Sequence, residues 1–322
     1  MKRITDLLLP FLCCCILLFL GICAGAVWIS PAEVFRDDTF RLIVEMRFFR
    51  MLAAFTAGGS LALSGLLFQT VLRNPLAEPF TLGLSGGAAV GAALAFLTGA
   101  AAFSTYTISL FAFCGAIVIL GLVLIISKGG TQGAESLLLS GVISGTITSG
   151  ILMYLISDFQ NEELAGITWW LLGDLQSVSR EILTGNLCLL ACSAVAAYAF
   201  ANDLDALSIG SNEAWDLGVH TKFLTTAVTV VASLLAAATV ALCGIVGFCG
   251  LVIPHAVKKI FGVRHRRSLP NAVFYGGGFL MCCDILSRLG QYREIPIGVI
   301  TALIGGPLFL YLLNRKGKKH VH

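Results

Sequence analysis

"LDALSIGSNEAWDLGVHTK", Leu204–Lys222, interrupts a chain that is apolar on both sides of it. Asp205, Glu213 and Asp216, with Asp203 just ahead, stand here beside Trp215 and two glycines. Whether the flanking runs build a soluble core or cross a bilayer decides how this stretch is read, and with it the fold. Composition answers that question. Of 322 residues 57% are hydrophobic and 12% charged, with a mean hydropathy of +0.90, whereas soluble domains carry about a quarter charged residues. The chain reads as an all-α integral membrane protein, and the quoted stretch as a polar segment between two crossings.

A spanning helix needs about 20 apolar residues. Runs bounded by charge, Gly or Pro place about ten spans, near 7–28, 51–71, 81–98, 108–126, 136–157, 182–201, 223–243, 245–261, 271–289 and 297–313. They form one transmembrane domain, 1–322, with 203–222 as a segment within it. The first run lacks a small-residue cleavage site and is read as a retained span. With both termini in the cytoplasm, two thirds of the 21 Lys and Arg residues fall on the inner side, the bias that orients membrane proteins. The quoted segment then faces the cytoplasm, and Trp169 and Trp170 mark the outer headgroup level.

Small residues crowd the spans, as in "AGGSLALSG" (57–65) and "GVISGTITSG" (141–150). Lipid supplies no hydrophobic drive between helices, so close backbone contact must hold the bundle together. The eleven cysteines lie in or beside apolar runs without zinc spacing and read as packing residues. His255 lacks a ligand partner at metal spacing and reads the same way. No G-x-x-x-x-G-K-[ST] loop is present, so the chain has no phosphate-binding loop with which to hydrolyse ATP. No block of like charge points to nucleic acid.

Four polar islands remain. In 203–222 Asp203 is placed to cap one short helix and Gly210 to break it. Ser211 is placed to cap a second, and Gly218 suits a left-handed stop after Leu217. Ala214 and Leu217 are expected on one face beside Trp215, a patch suited to a partner's groove; a solvated loop lying on the membrane is the alternative. "RNPLAEP" (73–79) forces an extended turn after the second span. In "EMRFFRML" (45–52) Arg47 and Arg50 share a helical face, suited either to carboxylates of a docking partner or to lipid phosphates. Asp284, in "CCDILSRLGQYREIP" (282–296), is the one acid well inside a span. Unpaired, it would cost about 2.5 to 3.5 kcal/mol. Arg288 at i+4 can neutralise it in an intramembrane ion pair, and a proton relay through Asp284 in a secondary transporter is the rival reading.

"RNPLAEPFTLGLSGGAAVG", "GFCGLVIPHAVKKIFGVRHRRSLP", "REIPIGVITALIGGPLFLYLL" and "SIGSNEAWDLGV" together resemble, over essentially the whole chain, the FecCD family. These are permease subunits of ABC importers for iron-siderophore complexes, haem and cobalamin. The resemblance implies the type II importer permease fold in a bacterial inner membrane. It implies a second permease copy forming a homodimer, two ATPase subunits carrying the ATP and Mg, and an extracytoplasmic substrate-binding protein. This chain itself would bind no cofactor or metal. By the same resemblance 203–222 is the coupling-helix segment, with Leu207, Gly210, Ala214, Trp215, Leu217, Gly218 and Val219 docking on the ATPase. Arg47, Arg50 and Arg288, with Arg293 nearby, would meet acidic residues of the binding protein, although "RFFR" lacks the proline of the family's "RLPR". Gly133, Ala134 and Glu135 would lie near the inner gate, and Glu135 departs from the small hydroxyl residues common there.

Overall fold

The computed structural model describes residues 2–25, 38–102, 104–128, 133–176, 178–289 and 294–317. Among them are thirteen α-helices and no strand: α1 (Lys2–Cys23), α2 (Asp38–Val71), α3 (Leu84–Leu97), α4 (Thr105–Lys128), α5 (Gly133–Ile156), α6 (Asn161–Leu171), α7 (Arg180–Ala199), α8 (Ala201–Ile209), α9 (Ser211–Asp216), α10 (Thr221–Cys243), α11 (Cys249–Phe261), α12 (His265–Ser287) and α13 (Ile297–Gly317). Each of the ten expected crossings coincides with a helix. Seven of the described helices are long and apolar enough to span by length and composition alone, while α1 and α3 offer shorter apolar stretches and α11 has 13 residues.

The short α3 has a cause in the chain before it. Fourteen residues rise about 21 Å, less than the roughly 30 Å hydrocarbon core. The preceding turn keeps its polar groups satisfied without helix: Asn74 Oδ1 accepts from Leu76 N at 2.9 Å, and Thr81 Oγ1 from Glu78 N at 2.9 Å. Non-helical backbone is tolerated at membrane depth only where protein shields it. Here Ala77, Pro79 and Leu82 are buried.

The bundle is built around α2. Its most apolar window is 89% buried, against 22% for α5, α7 and α13, which present Leu, Ile and Val to the outside. The most extensive helix contact is α2 with α12, followed by α3 with α4. Glycine makes both close. A Cβ at Gly58 would overlap the Gly276 carbonyl and one at Gly276 would overlap Gly58, while Gly87 and Gly115 face each other in the same way. The buried Cys249 thiol fills the junction, donating to Gly58 O at 3.4 Å. All eleven cysteines are free.

Gly276→Leu is therefore expected to abolish recovery of monodisperse protein from detergent. Gly121→Ala, whose Cβ would meet nothing within 4 Å, should be tolerated. Normal yield and thermal stability of the leucine variant would show that α2 and α12 do not pack by backbone approach.

Two elements differ from expectation. Helix α2 begins at Asp38, well ahead of the apolar run, because Arg41, Glu45, Arg47 and Arg50 end a hydrophobic stretch without ending a helix. Helix α6 occupies the loop after α5, opened by a capping box in which Gln160 N donates to Glu163 Oε2 at 2.9 Å.

Candidate functional site

Polar chemistry gathers at the two ends of the α2–α12 pair. At the end expected to face the cytoplasm, α8 and α9 are the short helices expected of 203–222, with Gly218 left-handed at φ +85°. Their caps differ from the sequence reading. Asp203 sits within the first turn of α8 and Ser211 is the first helical residue of α9, and neither Phe200 nor Gly210 supplies a side-chain cap. An acid in the first turn still suits the positive end of the helix dipole.

Burial divides the expected docking set. Leu207, Gly210 and Ala214 are buried within this chain, Ala214 completely. Val219 is half-buried against the main core and donates to Ala214 O at 3.0 Å. Burial follows from α8 and α9 packing on α2, α7, α10 and α12, which needs an inward apolar face. What stands outward is Trp215, 62% exposed, and Leu217, 69%, with Gly218 beside them. Ile209, 69% exposed, joins them as an apolar side chain that the sequence reading did not single out. Large exposed apolar side chains beside a polar surface mark an interaction site.

An unexpected cluster ties α8 to the bundle. Asp205 Oδ1 accepts from His265 N at 2.8 Å and lies 2.6 Å from His265 Nδ1. His265 Nε2 is 2.7 Å from Thr70 Oγ1, which is also 2.8 Å from Leu66 O. An Asp–His–hydroxyl array is the outline of a nucleophilic triad. Here Thr70 and His265 are almost completely buried, leaving no room for a substrate, so the array is structural. Residue separations of 60 and 195 positions hid it from sequence reading.

At the opposite end, expected to face outward, Asp284 is fully buried between two guanidinium groups. Arg50 Nε donates to Oδ1 at 2.8 Å, and Arg288 Nη2 lies 3.0 Å from Oδ2 as an ion pair without hydrogen-bond alignment. Arg50 Nη1 also pairs with Glu294 Oε2 at 2.8 Å, and that oxygen accepts from Gln176 Nε2 at 2.8 Å. Arg288 Nη1 donates to Gly21 O at 3.0 Å and Ala24 O at 3.3 Å; Arg47 Nη1 donates to Ile22 O at 3.0 Å and Cys23 O at 3.2 Å. Two arginines thus cap the C-terminal end of α1, which has no basic residue in its own last turn.

Of the two roles expected of Arg288, the geometry shows the ion pair with Asp284. At 5% exposure, with its donors turned to Asp284 and α1, it presents no cation outward. Arg47 and Arg50 are half-buried, and Arg293 lies outside the described residues. Of the remaining expectations, Gly133–Glu135 opens α5, with Ala134 against the core and Glu135 exposed in the first turn. His255 is buried, edge-on to Phe309 at 5.9 Å between centroids. No metal-binding cluster occurs among the described residues. Burial raises the Glu78 carboxyl in the 73–83 turn above the usual carboxylate range.

Between the ends, a cavity of about 420 Å³ opens between α3 and α5. Gly141, Gly145, Thr146 and Ser149 of α5 line it, facing Gly86 and Ala89 of α3 and capped by Phe80, Leu171 and Ile245. Small side chains and hydroxyls alternate in its wall with larger apolar ones, among them Val142 and Leu152.

Residues 13–315 match the FecCD transport family. The chain belongs to that family. This permease is 33% identical over 306 residues to the vitamin B12 import system permease protein BtuC of Yersinia enterocolitica, covering 92% of this chain and 89% of that one. To BtuC of Escherichia coli it is 33% identical over 308 residues, covering 94% and 92%. A solved metal-chelate type ABC transporter in an inward-facing conformation superposes with a TM-score of 0.88 at 29% identity, over 96% of this chain and 98% of that one. PsaBC of Streptococcus pneumoniae, solved with a Fab, shares the fold alone, at a TM-score of 0.60 and 18% identity over 88% of this chain and 95% of that one. The protein is thus a multi-pass permease of an ABC importer of the metal-chelate type, a transport subunit rather than an enzyme.

Proposed function

We propose that two copies of this permease pack about a two-fold axis in a bacterial inner membrane, with both termini cytoplasmic, and pass an iron chelate, haem or a cobalamin between them. Two ATPase subunits bind inside and a substrate-binding protein delivers from outside. The observation that carries this reading is the outward Ile209–Trp215–Leu217 patch on two stub helices. It offers an apolar handle to an ATPase groove, while Leu204, Leu207 and Ala214 anchor the segment inward. ATP-driven closure of the ATPase pair would then rock the permease copies between outward-open and inward-open states.

The BtuC relatives favour cobalamin, and the glycine- and hydroxyl-lined cavity beside α5 suits one wall of a path for a bulky chelate. Against the proton-driven reading, both Asp284 oxygens lie within ion-pair distance of arginine in a fully buried site. Purifying the complex with its binding protein and identifying the bound ligand by visible absorbance and mass tests the substrate. Uptake that survives ATP depletion and collapses with the proton gradient would sink the ATP-driven reading altogether.

Outside, Arg47 and Arg50 are the docking cations of this proposal, which requires them to exchange their present contacts with α1, Asp284 and Glu294 for acidic residues of the binding protein. Delivery is expected to slow several-fold between about 0.05 and 0.5 M salt, as the Debye length shrinks, while basal ATP hydrolysis holds. Salt-independent delivery would remove these arginines from the docking surface.

A further inference from the structure

The α2–α12 pair is tied at both ends by polar contacts that its glycine seam does not require. At the outer end Arg50 of α2 grips Asp284 of α12 at 2.8 Å. At the inner end Thr70 of α2 meets His265 of α12 at 2.7 Å. From His265 to Asp284 α12 rises about 28 Å. A helix pair fixed at both ends and in contact through its middle moves as one body.

Besides its apolar packing on α2 and α12, helix α8 is tied to this body by the polar side chain of Asp205. The N-cap residue of α12, Arg264, supplies no cap of its own; the carboxylate that accepts the first amide comes instead from Asp205. Asp205 Oδ1 receives two donors of the same residue, the main-chain N and the Nδ1–H of His265. The arrangement holds in either state of the ring. A neutral ring accepts the Thr70 hydroxyl at Nε2. A protonated ring donates there, and the hydroxyl turns to Leu66 O. The carboxylate also sits at the positive end of the α12 dipole.

From this geometry we infer that Asp205 is the positioning residue through which the docking helices move the α2–α12 pair, acting on His265 and, behind it, on Thr70. The inference rests on the importer reading for what moves α8. Apolar packing between α8 and its neighbours resists separation but allows sliding; a charged, two-donor contact at a helix terminus fixes direction. A displacement of α8 is thereby delivered to α12 along its axis and reaches Asp284 and the outer arginines. Coupling of this kind travels through contiguous contacts between rigid elements.

The test compares Asp205→Ala, which removes the acceptor, with Asp205→Asn, which keeps an oxygen for both donors, in the permease–ATPase complex reconstituted with its binding protein. Assembly and basal ATP hydrolysis of Asp205→Ala should stay within about twofold of wild type. Chelate transported per ATP hydrolysed should fall at least about tenfold, and Asp205→Asn should restore most of it. A merely structural contact would lower assembly and leave that ratio alone. Wild-type stoichiometry in Asp205→Ala, or an equal loss in both variants, overturns the inference. Should Asp205→Ala fail to assemble, Thr70→Val carries the test: it must lower the ratio several-fold, and an unchanged ratio overturns the inference. A wild-type chain that neither binds an ATPase nor transports on ATP would instead overturn the importer reading itself.

Discussion

Replacing Trp215 and Leu217 together by Asp is expected to abolish ATP-driven uptake and co-purification of the ATPase, leaving a permease that still folds. Both side chains are more than 60% exposed, so an isolated permease loses little when they become polar. In a complex they would be the anchors. Buried aromatic and aliphatic anchors each contribute about 2 kcal/mol or more to an interface. Removing two and adding two desolvated charges weakens docking by at least about 4 kcal/mol, a factor of about a thousand. Leu207→Asp and Ala214→Asp should behave otherwise, because those positions are buried in this chain: they should cost folded yield before they cost docking. Pull-down with the ATPase, alongside size-exclusion profiles of the permease alone, separates the two classes. If the Trp215 and Leu217 double variant assembles and transports normally, the exposed patch is not the handle.

Asp284→Ala is expected to be the most destabilising single change at the outer end. It leaves Arg288 buried with one carboxylate fewer and Arg50 dependent on Glu294 alone. Breaking a buried ion pair from one side costs about 3 to 5 kcal/mol, because the stranded charge is not resolvated. In detergent this should lower the melting temperature by on the order of 10 °C. Removing both partners tests the cause. Asp284→Leu with Arg288→Met leaves no stranded charge, since Arg50 keeps Glu294 at 2.8 Å. It should recover much of the loss, less the contacts of Arg288 with α1. A melting temperature for Asp284→Ala equal to wild type would mean that the outer arginines are solvated and the cluster is not a closed ionic site.

Both predictions depend on directions that side chains take. Segment 203–222 could be read as two stub helices because the chain turns extended at Gly210 and left-handed at Gly218, the latter a local property of glycine. The faces of those helices could not be read. Ala214 and Leu217 are three positions apart, a spacing that puts them on one side of an ideal helix, yet Leu217 falls after the last turn of α9 and points away while Ala214 is sealed. Arg47 and Arg50 show the same limit. Their spacing placed them together on α2, but not the C-terminal carbonyls of α1 or Asp284 of α12 against which they lie.

Hydropathy, proline and glycine by themselves determined the membrane setting, the ten helical crossings and the polar segment between the sixth and seventh. Each is a property of a short window and its solvent: every backbone polar group in hydrocarbon must bond within its own segment, so an apolar run of sufficient length commits to helix wherever it lies. Only the tertiary structure decided which helix ends are capped by residues of other helices. Arg47 and Arg288 close α1, and Asp205 closes α12. Those contacts bring together residues far apart along the chain, so their energy exists only once the bundle has closed, and no local pattern in the sequence records it.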